Sequence, residues 1–446
     1  MIAIIGAGPA GLAAAMTAAE SNEQVVVIDS APRPGGQYWR HLSQVEGYKS
    51  SRSAKYFSAL QENEKIIYIS GAQIWSAVHT ENGITLNYLA AGIESSITAQ
   101  KVILATGAHD RAIPFTGWER PGVMTPGAAQ ALLKGHNVIA GQRILITGTG
   151  PFLLPVAVGL AAAGADVAGI IEAHSPLRWL KSPLALLLNP QKSIELIYYL
   201  RKIAKYKLKV SFNRAVIAFD GKSATIAKID SELRIKKKES EIDCDVIAAG
   251  WGFSPDVTLG GILGCQQVVD RDGTVIFEVD GEQRSSAANI WIAGEATGIG
   301  GADLALIEGR IAAMSAIGRG IPLRLRFTRY RSRKFATALQ VSYPVGNGWQ
   351  GWLSQESKIC RCEEVSLGEI CASVTELSAN DARTSKLFTR AGMGMCQGRI
   401  CSRNVSEIIA SQTQCHVTEQ ERIGYSNRPI AAPIALGALA DGIKSG

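Results

Sequence analysis

Long hydrophobic runs and a secretory leader are the clearest features that this sequence lacks. No unbroken apolar run is longer than the one around Leu184 to Leu188, far short of the ~20 residues that a membrane-spanning helix needs. No basic lead-in or small-residue cleavage site precedes the first predicted strand, which begins at residue 2. We therefore expect a cytoplasmic chain, peripheral to the inner membrane at most through a complex, whose eight cysteines are thiols or metal ligands.

A strong charge of one sign is also missing. The net charge is +7 and 19% of the 446 residues are charged, which is an ordinary globular balance. No arginine-rich stripe with interleaved aromatics indicates nucleic-acid binding. Six basic residues between Arg324 and Lys334 are interpreted as a solvated linker or helix face, or alternatively as a docking surface for a partner or an anionic cofactor. The length predicts two or three domains.

Residue patterns for acid–base or nucleophilic catalysis are absent as well. The sequence has no Ser–His–Asp or paired-carboxylate pattern, and its six histidines show no metal-ligand spacing. No pair of closely spaced cysteines lies near either glycine-rich turn, which argues against disulfide reductase chemistry. His109 could approach a flavin or the phosphate of a second one, but a lone histidine in a loop is more often a plain hydrogen-bonding residue, and Arg111 is a slightly better candidate for anion binding. We therefore assign no catalytic residue.

A glycine-rich turn at the start of the chain has the pattern G-x-G-x-x-G. It consists of Gly6, Ala7, Gly8, Pro9, Ala10 and Gly11. The turn follows a predicted buried strand and opens an alanine-rich helix, whose N-terminal N–H groups favour phosphate. The first glycine permits the tight turn, the second lets the backbone approach a pyrophosphate, and the third allows close helix–strand packing. Asp29 ends the next strand, where an acid accepts ribose hydroxyls, so the turn predicts dinucleotide binding.

Three later motifs resemble those of two-dinucleotide flavoproteins and narrow the prediction to FAD. A glycine pair follows the second strand, a Thr-Gly pair follows a buried strand, and a Gly-Glu pair opens a late helix. Their residues are Gly35, Gly36 and Gln37, then Thr106 and Gly107, then Gly294 and Glu295. The flavoproteins normally have Gly-Asp at the third motif, so Glu295 is a conservative departure.

A second copy of the strand–turn–helix pattern starts at Arg143 and predicts a second nucleotide-binding domain. Its turn begins Gly148-Thr149-Gly150, but Leu153 replaces the third glycine and Glu172 occupies the ribose-reading position. No arginine follows Glu172 to pair a 2′-phosphate, which disfavours NADP. We expect a vestigial or differently used site, while NAD or an ADP- or ATP-like occupant stays open.

Four cysteines near the C-terminus form a metal-binding pattern. Cys360 and Cys362 make C-x-C, and Cys396 and Cys401 make C-x4-C. Four thiolates suit a [2Fe–2S] cluster or a structural zinc, and the one-residue gap favours the cluster because zinc knuckles use C-x2-4-C. Bare thiols are the remaining alternative. Nearby glycines would let backbone N–H groups approach the sulfides; these are Gly392, Gly394 and Gly398.

These motifs resemble the α-type subunit of heteromeric amino-acid and opine dehydrogenases. The group includes the A-type subunit of opine oxidase, D-hydroxyproline dehydrogenase, the B-type subunit of hydrogen cyanide synthase, and the α chains of proline dehydrogenase and sarcosine oxidase. The resemblance covers nearly the whole chain and is carried by residues 105–130, 290–312, 360–401 and 428–440. Asp29, His109 and Glu295 depart from residues that are common in the group. In some relatives the first pocket holds NAD or ATP rather than FAD.

The resemblance implies an electron-transfer subunit that carries FAD and a [2Fe–2S] cluster. The C–N bond of an amino acid, imino acid or opine would be oxidised on a D-amino-acid-oxidase-like flavoprotein β subunit. FMN can lie at the interface, and a small third subunit and a downstream electron acceptor complete the set. Two rival interpretations remain: a self-contained NAD(P)H:acceptor flavin reductase, and a scaffold chain with structural zinc. Leu153 argues against the reductase.

The predicted fold is an α/β flavoprotein with two glutathione-reductase-like Rossmann domains and a small C-terminal helical [2Fe–2S] domain. The predicted boundaries are 1–115 with 285–325 for a discontinuous FAD-binding domain, 116–284 for the second nucleotide-binding domain, 326–357 for a connector, 358–415 for a bacterioferritin-associated-ferredoxin-like [2Fe–2S] domain, and 416–446 for a C-terminal tail.

Overall fold

A computed structural model describes residues 1–41, 52–425 and 427–444. Strands are numbered along the chain: β1 (Ile2–Ile5), β2 (Val25–Ile28), β3 (Ile66–Ile69), β4 (Ala72–Thr80), β5 (Gly83–Ala90), β6 (Ile93–Ala99), β7 (Lys101–Leu104), β8 (Ala108–Asp110), β9 (Val123–Met124), β10 (Arg143–Gly148), β11 (Asp166–Glu172), β12 (Val210–Phe212), β13 (Arg214–Phe219), β14 (Ser223–Ile229), β15 (Ile235–Asp243), β16 (Val246–Gly250), β17 (Phe253–Pro255), β18 (Gln267–Val269), β19 (Val275–Phe277), β20 (Ile290–Ile292), β21 (Lys358–Cys360) and β22 (Val365–Ser366).

The helices are numbered in the same way: α1 (Pro9–Ala19), α2 (Ala54–Glu62), α3 (Pro126–His136), α4 (Leu153–Ala162), α5 (Pro183–Leu188), α6 (Pro190–Lys205), α7 (Thr258–Ile262), α8 (Ala302–Ala316), α9 (Leu323–Ser342), α10 (Leu367–Thr375), α11 (Ala382–Thr389), α12 (Ser402–Thr413), α13 (Glu419–Gly424) and α14 (Leu436–Lys444). Short 3₁₀ helices cover Pro176–Lys181, Gly294–Thr297 and Asn347–Trp352. Across the described residues, no helix combines the length and apolar character needed to cross a bilayer.

The chain divides into two compact units. Unit 1 comprises Met1–His109, Ser254–Ala336 and Ser426–Gly446. Unit 2 comprises Asp110–Phe253 and Thr337–Tyr425.

Unit 1 is built on a parallel sheet with the strand order β20-β7-β1-β2-β3. All four residues of β1 are buried, as a central parallel strand covered on both faces requires. The alanine-rich helix α1 packs against α8, and a Cβ on Gly309 of α8 would overlap the carbonyl oxygen of Ala10. An antiparallel sheet β4-β5-β6 contributes Leu86 and its neighbours to the core on the other face of the parallel sheet.

Unit 2 repeats the architecture around β10, with the parallel strand order β12-β11-β10-β16-β9. An antiparallel sheet β13-β14-β15 and the cysteine-bearing segment of β21, β22 and α10 to α12 share one apolar core with it. The helix α10 begins at a capping box in which Ser366 accepts from the N–H of Glu369 and the Glu369 carboxylate accepts from the N–H of Ser366. This cap fixes where the helix starts after the first cysteine pair.

The segment 326–357, interpreted from its sequence as a connector, contains regular structure. The helix α9 covers most of the basic stretch, and Trp349 and Trp352 of the following 3₁₀ helix are buried in unit 2. Trp352 Nε1 donates to the carbonyl oxygen of Leu233 at 2.9 Å. These contacts make the end of the segment part of a core.

Candidate functional site

The first glycine turn joins β1 to α1 and allows no side chain at two of its positions. Gly6 has a φ of +102°, and a Cβ there would overlap the carbonyl oxygen of Ala105. A Cβ on Gly11 would overlap the carbonyl oxygen of Gly6, so this glycine lets the helix lie directly against the turn. The residue types at both positions are therefore dictated by close packing of backbone against backbone.

The glycine pair after β2 lies against this turn. The N–H of Gly35 donates to the carbonyl oxygen of Ala7 at 2.8 Å, and a Cβ on Gly36 would come within 2.9 Å of the Gly8 Cα. Gly8 itself is open, because the nearest atom to a Cβ there is the Gly36 Cα at 4.0 Å. The two glycine segments thus leave a strip of backbone without side chains beside the start of α1. Such a strip at the N-terminus of a helix suits the binding of a phosphate group.

The first turn of α1 connects this strip with the third sequence motif. Pro9 occupies the first helical position, where its missing N–H costs no hydrogen bond. A Cβ on Gly294 would lie 3.1 Å from the Ala10 Cβ, so the two motifs meet at the helix start. The structure therefore brings together motifs that lie almost 300 residues apart in the sequence.

Asp29 is buried at the end of β2 and binds backbone of the turn. Its carboxylate accepts from the N–H of Ala7 and, at 2.6 Å, from the N–H of Ala31. Burial raises the pKa of Asp29, and these hydrogen bonds oppose that rise. The side chain holds β2 to the glycine turn, while its predicted contact with a ribose stays a prediction.

Three other residues predicted to bind FAD, Thr106, Gly107 and Gln37, make hydrogen bonds to residues of unit 1. Thr106 Oγ1 donates to the carbonyl oxygen of Asp256 at 2.7 Å, and the carbonyl oxygen of Gly107 accepts from the N–H of Asp256 at 3.0 Å. Gln37 Oε1 accepts from Arg40 at 2.8 Å. The Thr-Gly pair thus fixes the chain at Asp256.

Glu295 points its carboxylate at the loop that precedes α8. It accepts from the N–H groups of Gly300 at 3.0 Å and Gly301 at 2.8 Å. Burial raises the pKa of Glu295, and these two hydrogen bonds oppose the rise. The longer glutamate side chain therefore shapes the loop, and direct contact with a cofactor stays a prediction.

Glu308 of α8 is a buried acid that the sequence motifs did not reveal. Its side chain is fully inaccessible, and its Oε1 pairs with Arg333 at 2.6 Å and Arg329 at 3.4 Å. Its Oε2 accepts from the N–H of Gly294 and the hydroxyl of Thr297, each at 3.2 Å. Arg329 and Arg333 belong to the basic stretch interpreted as a solvated linker or helix face, or as a docking surface. The structure instead pairs these two arginines with a carboxylate that holds the third motif.

Removal of one partner tests this buried network. We expect Arg333→Ala to lower the free energy of unfolding by about 3 kcal/mol, because it leaves the Glu308 charge buried with one fewer partner. Arg326→Ala is the matched control: its guanidinium pairs with Glu282 at 2.8 Å at the surface, and its loss should cost less than about 1 kcal/mol. Urea denaturation measures both, and equal losses would contradict an inward role for Arg333.

The second glycine turn differs from the first in where its helix begins. Pro151 aligns with Pro9, yet α4 begins only at Leu153, two residues later than the equivalent start of α1. Leu153 is buried in the core on this face of the second sheet. The helix thus begins later where a side chain replaces the third glycine, and the N–H groups of its first turn begin later with it.

The ribose-reading acid of the second copy is bound to its own turn. Glu172 accepts from Thr149 Oγ1 at 2.8 Å and from the N–H groups of Gly150 and His174, each at 3.0 Å. Burial raises the pKa of Glu172 to about 7 against these hydrogen bonds. The carboxylate thus accepts the hydrogen bond from the N–H of the second glycine. A bound pyrophosphate would need this N–H as a donor.

A neighbouring segment of unit 2 covers the same acid. His174 Nε2 lies 2.6 Å from the carbonyl oxygen of Pro344, and Trp179 Nε1 donates to the Tyr343 hydroxyl at 3.0 Å. Burial, with a smaller contribution from the Glu172 charge, raises the pKa of Tyr343 to about 12. These contacts agree with a second site that is vestigial or differently used.

The raised pKa of Glu172 predicts a pH-dependent stability. The pKa rises from 4.5 to about 7 on folding, so the folded chain holds this proton more tightly than the unfolded chain. The bound proton contributes in full to the free energy of unfolding below pH 4.5. This contribution, about 3 kcal/mol at most, is lost as the pH rises through 7. We expect Glu172→Gln to be less sensitive to pH in this window. Urea denaturation at several pH values measures the difference, and parallel curves would contradict it.

The four predicted ligand cysteines lie together as two pairs. Hydrogen bonds between sulfurs join Cys360 with Cys401, both buried, and Cys362 with Cys396, which are more accessible. In the part of the chain that the structure describes, no three His, Cys, Asp or Glu side chains are arranged as ligands of a metal ion. Four cysteines in two pairs are the ligand number that a [2Fe–2S] cluster needs, and their role as its ligands stays a prediction.

Backbone N–H groups surround the first of these sulfurs. The hydrogen bond from Cys401 holds the pKa of Cys360 down, at about 5, and hydrogen bonds from the N–H groups of Gly392, Glu363 and Cys362 act in the same direction. These hydrogen bonds favour the thiolate, which is the form of cysteine that binds metal. The N–H of Gly392 thus donates to a cysteine sulfur, while its approach to the sulfides of a cluster stays a prediction.

Two further glycines of the cysteine segment are required by close contacts. A Cβ on Gly394 would overlap the Cβ of Cys362, and a Cβ on Gly398 would overlap Oγ of Ser402. The chain can therefore fold tightly around the sulfurs only with glycine at these positions.

Arg111 has a structural partner in unit 2. Its guanidinium lies 3.5 Å from Glu407 of α12, and both side chains are buried. Arg403 also pairs with Glu407, at 2.9 Å, and Asn404 donates to the carbonyl oxygen of Ala112 at 3.1 Å. The anion that Arg111 binds is thus a carboxylate of α12, the helix that follows Cys401. His109 is half-buried in β8, and its role beside a cofactor stays a hypothesis.

Comparison with known proteins identifies the family. Residues 1–316 match the family model described as pyridine nucleotide-disulphide oxidoreductase. The chain belongs to this oxidoreductase family. Residues 358–411 match the BFD-like [2Fe-2S] binding domain, so this family member joins a flavoprotein fold to an iron–sulfur domain. The predicted fold class is confirmed.

Relatives within the oxidoreductase family match along nearly the whole chain. The A-type subunit of opine oxidase from Rhizobium meliloti is 32% identical over 98% of this chain and 98% of its own length. The HcnB subunit of hydrogen cyanide synthase from Pseudomonas aeruginosa is 32% identical over 93% of each chain. The crystal structure of L-proline dehydrogenase from P. horikoshii superposes with a TM-score of 0.65 at 20% identity, over 98% of this chain and 78% of that one. The family resemblance drawn from the sequence is confirmed.

Proposed function

We propose that this chain is the electron-transfer subunit of a heteromeric dehydrogenase that oxidises the C–N bond of an amino acid, imino acid or opine. FAD would bind at the first glycine turn, and a [2Fe–2S] cluster would bind at the two cysteine pairs. The observation that carries the proposal is the union of both candidate sites in one chain. Relatives named as subunits of opine oxidase and hydrogen cyanide synthase support it.

In this proposal, backbone groups and cysteine side chains of the chain hold the cofactors in position. The bare backbone of Gly8 and Gly36, next to the N-terminus of α1, would hold the pyrophosphate. Cys360, Cys362, Cys396 and Cys401 would hold the cluster as thiolates, with N–H groups around the first sulfur. A flavin held at this site would supply chemistry that exchanges electrons singly or in pairs, and a cluster held by the cysteines would supply one-electron transfer.

The partner would carry the substrate. We propose a D-amino-acid-oxidase-like flavoprotein β subunit, with FMN at its interface with this chain and a small third subunit in some assemblies. Either pocket could hold NAD or ATP in place of FAD, and the Glu172 contacts favour the first turn as the occupied one. The complex would be cytoplasmic and would pass its electrons to a downstream acceptor.

Purification of the native complex tests this proposal. We expect this chain to co-purify with a flavoprotein subunit, and the complex to reduce an artificial dye with an amino acid, imino acid or opine as donor. The isolated chain should contain flavin, iron and acid-labile sulfide but should oxidise none of these donors. Amine oxidation by the isolated chain would overturn the division of labour.

A second assay separates this function from an NADH-driven reductase. We expect NADH to leave the flavin of the isolated chain oxidised, because Leu153 and the Glu172 contacts disrupt the second nucleotide site. Rapid bleaching of the flavin by NADH would establish the reductase instead.

A further inference from the structure

One stretch of unit 2 exposes an unusual number of large aliphatic side chains. Residues 176–209, called here the 176–209 segment, contain a 3₁₀ helix, α5, α6 and the chain leading to β12. Four leucines in its first half are between 70% and 76% exposed: Leu177, Leu180, Leu184 and Leu187. Further exposed apolar residues on α6 are Ile194, Leu196, Ile197, Tyr198 and Leu200. Soluble proteins rarely leave so many neighbouring apolar side chains in water without a binding role.

The spacing of these residues places them on common faces. Leu177 and Leu180 are three residues apart on a 3₁₀ helix, which aligns their side chains. Leu184 and Leu187 have the same spacing on α5, and Ile194 and Ile197 have it on α6. Short consecutive helices therefore each present an apolar face to solvent.

The same segment accounts for the whole net charge of the chain. It contains eight of the 46 lysines and arginines and one of the 39 acidic residues, a balance of +7. The remaining chain has 38 basic and 38 acidic residues and is neutral. The single acid, Glu195, pairs with Lys192 at 2.8 Å. Exposed leucines and a concentrated positive charge thus occur together in one place.

We propose that the 176–209 segment binds directly to the surface of an anionic phospholipid membrane. Its leucines would enter the boundary between headgroups and acyl chains, and its lysines and arginines would contact lipid phosphates. The apolar run is too short to span a bilayer, so the segment lies on the membrane. Protein–protein interface cores are depleted of lysine, and therefore the composition favours a lipid surface over a protein partner.

Vesicle sedimentation with the full, cofactor-loaded chain tests the proposal. We expect binding to vesicles of phosphatidylglycerol and phosphatidylcholine in equal parts, much weaker binding to pure phosphatidylcholine, and release by high salt. Failure to bind, or equal binding to both kinds of vesicle, overturns the proposal. Membrane binding is independent of electron transfer, so the result does not depend on the proposed function.

Two pairs of variants separate the apolar and electrostatic contributions. Leu187→Gln should weaken vesicle binding about tenfold, whereas Ile93→Gln, at a comparably exposed site in unit 1, should leave it unchanged. Lys205→Glu should also weaken binding about tenfold, whereas Lys222→Glu, at an exposed turn outside the segment, should not. Each variant is on the surface, so folding is retained and can be checked by thermal unfolding. Equal effects within either pair overturn the proposal.

If the 176–209 segment binds a protein instead of a membrane, these experiments give different results. Dissociation of a dimer by Leu187→Gln would assign the surface to a second copy of this chain. Loss of vesicle binding when the partner flavoprotein subunit is added would assign it to that subunit. Either result overturns direct membrane binding.

Discussion

Cys362→Ala is expected to remove the iron–sulfur cluster. The cluster needs four thiolates, and Cys362 belongs to the more accessible of the two thiol pairs. Alanine is preferable to serine because a serine oxygen can itself bind iron. We expect the variant to lose most of its bound iron and acid-labile sulfide, and the visible absorption of the cluster, while the flavin is retained.

Cys415→Ala provides a matched control for this experiment. Cys415 is also an exposed free thiol, but it follows α12 and is outside the two pairs. Its removal should leave iron and sulfide unchanged. Zinc without sulfide in the wild-type chain would replace the cluster with a structural metal site, and retention of iron in the Cys362→Ala chain would remove that cysteine from the ligand set.

A pair of glycine variants should have the second largest effect and should separate folding from cofactor binding. In Gly11→Ala the added Cβ overlaps the carbonyl oxygen of Gly6, so backbone must move. We expect a loss of about 1–3 kcal/mol or more in the free energy of unfolding. In Gly8→Ala the nearest atom is 4.0 Å away, so the apoprotein should keep its stability.

The Gly8→Ala chain should nevertheless bind FAD at least about tenfold more weakly, because its Cβ would occupy the strip predicted to face the pyrophosphate. Thermal unfolding of the apoprotein and titration with FAD measure the two properties separately. Gly281→Ala is the control, since a Cβ there meets no atom within 4 Å and the residue lies away from the turn. Unchanged FAD affinity in Gly8→Ala would place the cofactor elsewhere. Titrations with NAD and ATP would then identify the occupant of the turn.

The parts of the site that the sequence predicts are those encoded by short patterns. The turn at Gly6 to Gly11 and the C-x-C pair at Cys360 and Cys362 are defined by neighbouring residues, so spacing alone indicates their chemistry. The family comparisons support the domains that these patterns predict.

The parts that the sequence does not predict depend on contacts between distant residues. Glu308 lies on an alanine-rich helix in no recognisable motif. The sequence predicts a solvated face or a docking surface for its arginine partners, because helical spacing does not show which neighbour a charge meets. Arg111 had no visible partner in sequence because Glu407 lies near the other end of the chain. Asp29 and Glu172 end equivalent strands, yet only the fold shows that Glu172 holds the second glycine of its turn.

The order of the strands in unit 1 also limits how far this protein can fold during its synthesis on the ribosome. The sheet that supports the first glycine turn is completed by β20, which pairs with β7 but is synthesised after most of unit 2. While the intervening chain is being synthesised, the sheet of the N-terminal region is incomplete. The edge of β7 that later pairs with β20 stays unpaired during this time. A truncated product that stops before β20 would therefore leave one edge of β7 unpaired, and an unpaired strand edge is a site of aggregation.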